Sequence, residues 1–240
     1  MIIDAHNHVG GPDRVDRKRQ SADEIVNEMD RIGIDKAVIF SFNEITPGIS
    51  FSLANNRIIE AVNNYPDRLI GFARLDPNYG EKALEELERD VEVGLIGLKL
   101  HPSSQRFSLR EENLRNIIKH ASVLNIPIIF DSGKKESPPE QFGELAELFP
   151  QATIIMAHMF GDFLQTAYNH QNIYLQTTDM PRKEIIQKAI KELGAERIIM
   201  GSDSPYISME TEFEKIQSLD ISDNEKKLIM GDNMSRILEL

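Results

Sequence analysis

The sequence predicts an α/β fold, a single-domain (β/α)8 TIM barrel over residues 1–240, and three observations lead there. Short β-rich apolar runs alternate with longer amphipathic segments eight times along the chain. Several runs, such as Ala37-Val38-Ile39-Phe40 and Ile154-Ile155-Met156, are apolar at consecutive positions, as parallel strands covered on both faces require. The length of 240 residues gives a βα period of roughly 30, suited to a barrel of this size. An open doubly wound sheet is the competing topology. Eight strands is the closure number, however, and the first βα turn lacks the Gly-x-Gly-x-x-Gly phosphate loop of that fold.

In chain order, the strands are read as Ile2 to Ala5, Lys36 to Ser41, Leu69 to Arg74, Gly97 to Leu100, Pro127 to Phe130, Thr153 to Ala157, Ile173 to Gln176 and Arg197 to Gly201. Between them apolar residues recur at helical spacing, as in Ile25, Met29, Ile32 and in Leu84, Leu87, Val91. Ser21 with Glu24, and Ser108 with Glu111, have the spacing of a capping box. Gly33, Gly94 and Gly194 stand where a left-handed terminator closes a helix before the next strand. The last barrel helix starts near Met209, and short helices over Asp223 to Met230 and Asn233 to Leu240 finish the chain. No Ser/Gly-rich, Pro-rich or low-complexity tract interrupts the rhythm, so no linker is expected.

Composition narrows the function. A formal charge of -12, from 39 acidic and 27 basic residues, repels phosphate backbones and anionic lipid, so neither nucleic acid nor a membrane is an expected partner. The absence of cysteine excludes disulfides, thiolate zinc sites and a cysteine nucleophile. Any metal has to use His, Asp, Glu or a modified Lys. The opening Met1-Ile2-Ile3-Asp4-Ala5-His6 has no basic and apolar leader pattern, and no run reaches 18 apolar residues. A cytoplasmic enzyme is the expectation, with a homodimer as the commonest assembly.

In a parallel barrel the reactive groups come from the C-terminal strand ends and the loops after them. Four of the six histidines, His6, His8, His101 and His158, fall on that rim. His6 and His8 are two apart on one strand, so both imidazoles point the same way and can share a divalent ion. A His-x-His pair is weak by itself; it gains weight because strand eight of a closed barrel lies beside strand one and ends at Asp203. That carboxylate can ligate the ion or take a proton, and Asp-Ser-Pro also reads as a turn. His158 suits a ligand, a general base or a hydrogen-bonded core residue. Lys99 and His101 share one strand face, and Lys99 could anchor charge, bridge a metal as a carbamate, or pair with Asp131. Arg74 or Lys99 could pair with a substrate carboxylate. His120, in a helix, and His170, in a turn, read as surface residues.

With these residues in place the chain resembles the amidohydrolase superfamily, and within it the amidohydrolase 2 branch of aminocarboxymuconate-semialdehyde decarboxylase, resorcylate decarboxylase and related hydrolases and lactonases. The resemblance rests on Ile3-Asp4-Ala5-His6-Asn7-His8, Gly97-Leu98-Lys99-Leu100-His101-Pro102, Ala157-His158 and Gly201-Ser202-Asp203-Ser204-Pro205. It implies that His6, His8 and Asp203 hold zinc or a similar ion and that His158 orients or protonates the substrate. The branch commonly ends strand five in a metal-ligating His; here Asp131 takes that place in Pro127-Ile128-Ile129-Phe130-Asp131-Ser132-Gly133. An aspartate there shifts preference toward harder ions such as manganese, and its other role is an ion pair with Lys99.

The expected activity is therefore metal-dependent hydrolysis of an ester, lactone or amide of a small carboxylate-bearing organic acid. A divalent ion, zinc first and manganese second, would sit on His6, His8, Asp203 and Asp131, with Asp203 and His158 moving protons and Lys99, His101 and Arg74 binding substrate. The alternatives are decarboxylation of an aromatic or unsaturated acid, and a non-catalytic barrel with a residual metal or ligand site.

Overall fold

Every strand pairing in the chain is parallel. The computed structural model describes residues 1–240, with strand segments β1 (Ile3–Val9), β2 (Lys36–Ser41), β3 (Leu69–Gly71), β4 (Ala73–Arg74), β5 (Leu98–Leu100), β6 (Ile128–Asp131), β7 (Ile154–Ala157), β8 (Ile173–Gln176) and β9 (Ile198–Ile199). Two ladders result, β1-β2-β3 and β4-β5-β6-β7-β8-β9. They are one barrel of eight staves, because β3 and β4 are halves of a single stave parted at Phe72. The Phe72 N–H donates to Ile39 (2.9 Å) and the next N–H, of Ala73, to Gly97 (2.8 Å). At the other seam β1 meets the chain around β9: Ala5 N–H donates to Met200, Asp203 N–H to His6 and His8 N–H to Ser204, all at 2.8–3.0 Å. The predicted barrel is the observed fold.

Helices α1 (Ala22–Ile32), α2 (Ser52–Asn64), α3 (Glu81–Glu92), α4 (Pro102–Gln105), α5 (Glu112–Val123), α6 (Pro139–Leu148), α7 (Phe163–Asn169), α8 (Lys183–Leu193) and α9 (Met209–Gln217) follow the strands. The chain closes with α10 (Asp223–Lys227), a π-helical turn (Leu228–Asp232) and α11 (Asn233–Ile237). A cluster of 49 buried apolar residues joins helices to the outer strand faces, and a second of 11, including Ile3, Ala5, Val38, Phe40, Phe72, Ile129 and Ile155, fills the barrel interior. Side chains alternate between these cores, as Leu98 and Leu100 outside with Lys99 inside illustrate. No helix is long and apolar enough to cross a membrane.

Two details differ from the sequence reading. The Ser21–Glu24 capping box forms and Gly33 closes α1 at φ 89°, but Ser108 and Glu111 build a turn ahead of α5 instead of capping it: Ser108 N–H donates to the Glu111 carboxylate, and Glu111 itself is the N-cap. The first strand runs on to Val9 and is irregular. Its register against β2 goes from Asp4–Ala37 to Asn7–Ile39, three steps against two. This bulge reverses the alternation. Ile3 and Ala5 face the interior core, so an unbroken strand would turn His6 and His8 outward; with one extra residue both reach the mouth while Val9 packs outside.

Candidate metal centre and active site

The rim of the barrel holds a cleft of about 270 Å³. At its floor His6 and His8 on β1 meet Asp203 beyond β9. The His6 Nε2 and His8 Nε2 atoms lie 3.2 and 3.0 Å from Asp203 Oδ1, and the ligand atoms of all three are within 4.8 Å of one another. Asp203 reaches this point through a left-handed backbone, φ 73°. Just before it, Gly201 is required by close approach: a Cβ there would stand 2.8 Å from both His6 Cβ and Gln176 Cδ.

The residues fit a divalent ion. The Gln176 Nε2 atom donates to Ala5 O (3.0 Å), so its Oε1 accepts from His6 Nδ1–H. That fixes the tautomer and leaves the His6 Nε2 lone pair facing Asp203, the supporting arrangement of a metal-bound imidazole. Burial, followed by the Lys99 charge, holds the His6 pKa down to about 3; burial also lowers that of His8. Both rings are therefore neutral donors at neutral pH. Burial opposes ionisation of Asp203, yet the facing His6 and His8 imidazoles outweigh it and hold the carboxyl well below the usual range. Phe40 packs edge-on against both rings at 4.9 Å and Phe42 stacks on His8 at 5.0 Å, which limits their rotation.

Asp131, the expected fourth ligand, lies outside the group formed by His6, His8 and Asp203. It is also not paired with Lys99. Its Oδ2 accepts from Lys134 Nζ (2.8 Å) and His158 Nε2 (2.9 Å), with His101 Nε2 at 3.3 Å, while Oδ1 is buried without a partner. Burial pushes this carboxyl up, but the His158 hydrogen bond and the charges of His101, His158 and Lys134 win and keep it ionised. His158 Nδ1 has no hydrogen-bond partner, and His158 stacks on Phe160 at an interplanar angle of 7°.

Arg74 and Lys99 are register partners on β4 and β5, each only 1% exposed, and both line the cleft. The Arg74 guanidinium donates to Ser41 O (2.9 Å) and Ser104 Oγ (3.3 Å), and its Nε is unpartnered. The Lys99 Nζ atom sits 3.1 Å from His6 Nε2 and 5.1 Å from the centre of the Phe40 ring. None of the ion pairs within 4.0 Å involves either residue. Burial pushes Lys99 down to about 7 and Arg74 down to about 10.

The sequence model of the amidohydrolase family matches residues 3–240. The chain belongs to the amidohydrolase family. Among curated proteins it is similar to the gamma-resorcylate decarboxylase of Polaromonas sp. (strain JS666), 24% identical over 246 residues, covering 78% of this chain and 75% of that protein. Among solved structures it resembles 2,6-dihydroxybenzoate decarboxylase from Rhizobium, with a TM-score of 0.81, 17% identity and coverage of 99% and 98%. A dihydroxybenzoic acid decarboxylase from Polaromonas sp. JS666, solved with manganese and 2-nitroresorcinol, matches at a TM-score of 0.78 and 18% identity, with coverage of 100% and 97%.

Several groups at this amidohydrolase's site escaped the sequence reading. Gln176 ends a strand the sequence located, but its bond to His6 requires strands far apart in the chain to meet at the barrel seam. Lys134 lies three residues after Asp131 in a loop with no periodicity. Tyr206 completes the cleft wall with Asp13 and Asp16; burial, then these acids and Asp203, push its phenol up. His120 and His170 are away from the cleft, as expected, with Nδ1 of each hydrogen-bonded to a carbonyl of its own helix, Asn116 O and Thr166 O.

Proposed function

We propose that this amidohydrolase is a metal-dependent decarboxylase of a small carboxylic acid, with His6, His8 and Asp203 holding one divalent ion, manganese or zinc. The observation that carries the reading is the Arg74–Lys99 pair: two buried basic side chains, side by side on β4 and β5, with no carboxylate of the protein within 4.0 Å of either. A buried charge without a counter-charge is costly, and a substrate carboxylate is the counter-charge that fits a cleft lined by both. Lys99 touches His6, so a carboxylate on this pair lies beside the proposed metal ligands, where a reacting group belongs. Relatives that act on dihydroxybenzoates favour the same chemistry.

A bound ion would supply Lewis acidity toward the substrate oxygens as charge develops. Arg74 and Lys99 hold the carboxylate in line as the carbon–carbon bond breaks and carbon dioxide leaves. The electron pair stays on the substrate carbon, which then needs a proton. His158 suits that role, because Asp131 accepts from its Nε2–H, which fixes the ring and leaves Nδ1 free to carry the proton toward the substrate carbon. Lys134 and His101 keep Asp131 ionised.

Hydrolysis of an ester or lactone of an acid is the second reading, favoured by one feature. Asp203 is held as a carboxylate against both imidazoles, the state a general base for water needs. One assay separates the two. The manganese- or zinc-loaded protein is given hydroxybenzoates and unsaturated acids, and separately lactones and esters, while carbon dioxide and acid release are followed. Carbon dioxide release is the expected result. Acid release without carbon dioxide would replace decarboxylation by hydrolysis, and a metal-replete protein inert to both panels would overturn both.

A further inference from the structure

Arg74 lies just past the break between β3 and β4, where the β2–β3 register has already ended at Ile39–Gly71. On β5's side Arg74 pairs normally with Lys99. On the other side the partner of its backbone is a side chain. The Arg74 N–H donates to Asn55 Oδ1 (3.0 Å), and Asn55 Nδ2 donates to Arg74 O (2.9 Å), so one side chain takes both backbone groups that a neighbouring parallel strand would otherwise pair. The second Nδ2 proton goes to Asp90 Oδ2 (2.6 Å), and Asp90 Oδ1 in turn accepts from Arg89 (2.7 Å). Asn55 on α2 and Asp90 on α3 are both fully buried, 0% exposed.

The chemistry of the partners fixes the amide's orientation. A backbone N–H can only donate, while a carbonyl and a carboxylate can only accept, so Oδ1 and Nδ2 cannot be exchanged. Both amide protons are used. Two buried polar residues on two helices are thus spent on one backbone position of the barrel, although an apolar pair would pack there at lower desolvation cost. The Arg74 side chain explains why: with Nε unpartnered, its terminal nitrogens on Ser41 O and Ser104 Oγ and the guanidinium 5.2 Å over the Phe51 ring, no ion pair fixes it and its aim into the cleft depends on the backbone that carries it.

We infer that Asn55 is a positioning residue for Arg74, and that Asp90 holds Asn55 in the required orientation, so that an asparagine and an aspartate outside the cleft set the geometry of its carboxylate clamp. This rests on reading Arg74 as a carboxylate-binding group. A merely structural role for Asn55 would alter stability and leave anion affinity alone.

The test uses the zinc-loaded protein, with formate as the probe and the Arg74 Nε–H resonance as the readout. In the wild type formate shifts this resonance saturably. Asn55→Ala should raise the formate Kd about tenfold, the scale of one misplaced hydrogen bond to a charged group, with zinc content unchanged. Asp90→Ala, which leaves Asn55 in place without its anchor, should move in the same direction and serves if Asn55→Ala does not fold. Asp90→Asn keeps an acceptor oxygen and should restore the wild-type value. A folded, zinc-replete Asn55→Ala or Asp90→Ala protein with unchanged formate affinity would overturn the inference. If formate leaves the wild-type Arg74 resonance unmoved, the carboxylate reading itself fails. The positioning claim is then judged separately by the Arg74 Nε–H line, expected to broaden in Asn55→Ala and refuted if it does not.

Discussion

Arg74→Met should make the protein slightly more stable while removing its hold on carboxylates. Burial pushes the Arg74 guanidinium down to about 10, from an ordinary value above about 12. At about 1.4 kcal/mol per tenfold, the native state carries roughly 3 kcal/mol against the charged form. Two hydrogen bonds, to Ser41 O and Ser104 Oγ, offset this by about 1 kcal/mol each. Methionine fills similar space without a charge and abolishes the orphaned Nε. The net gain is about 1 kcal/mol, or about 2–4 °C in Tm for a chain of this size. Thermal unfolding of zinc-loaded wild type and variant, with and without formate, measures both halves of the claim. Formate should raise the wild-type Tm by mass action and leave the variant's unchanged. A variant destabilised relative to wild type that still gains Tm from formate would refute the reasoning and make Arg74 a structural strut.

Other outcomes follow from the same geometry. His8→Ala should lose the bound ion and turnover together, as elemental analysis beside an activity assay would show; a metal-replete, active variant would exclude His8 as a ligand. Gln176→Leu frees the His6 Nδ1 and should weaken metal affinity by about 10–100-fold, read by competition with a chelator. His158→Ala should retain the ion while losing about 10²–10⁴ in rate; unchanged turnover would remove His158 from proton transfer. Glu212, buried against Thr177 and Lys215, is pushed up to about 7, chiefly by burial. Its unfolded value is about 4.3, so between these limits the native chain binds more protons than the unfolded chain. Stability should therefore fall as pH rises from about 4 to about 7. Glu212→Gln should flatten that slope in urea titrations, and an unaltered slope would assign the effect to other groups.

The barrel was legible because strands buried on both faces leave continuous apolar runs, and no tertiary accident hides Ile128-Ile129-Phe130 or Ile154-Ile155-Met156. The cluster of His6, His8 and Asp203 was legible for a topological reason: closure of eight staves brings the last strand end to the first. Reading side-chain direction was harder. Alternation predicts that His6 and His8 agree with each other, but whether they face in or out depends on a bulge set by backbone pairing between Asp4 and Asn7. Asp131 shows the same limit. Its position on the rim could be read, whereas the choice among ligand, Lys99 partner and hub for His158, His101 and Lys134 depends on side chains from three staves and a loop. Ser108 misled through spacing alone, since a Ser-x-x-Glu sequence closes a turn as readily as it caps a helix.

The barrel's irregularities and its chemistry coincide. The bulge in β1 turns the metal-ligand pair inward, and the break between β3 and β4 hands the backbone of Arg74 to a side chain on a helix. Left-handed backbones gather on the same rim at His158 (φ 78°), Asp179 (φ 51°) and Asp203 (φ 73°), each costing about 1–3 kcal/mol unless its surroundings enforce it. Regular staves would bury apolar side chains at these places and be more stable. A binding or structural barrel gains nothing by combining strain, two buried basic side chains without an ion-pair partner and three converging ligands at one mouth. A catalyst does, because groups fixed before the substrate arrives need no reorganisation when charge develops. The coincidence therefore argues for an enzyme on physical grounds, independently of family membership.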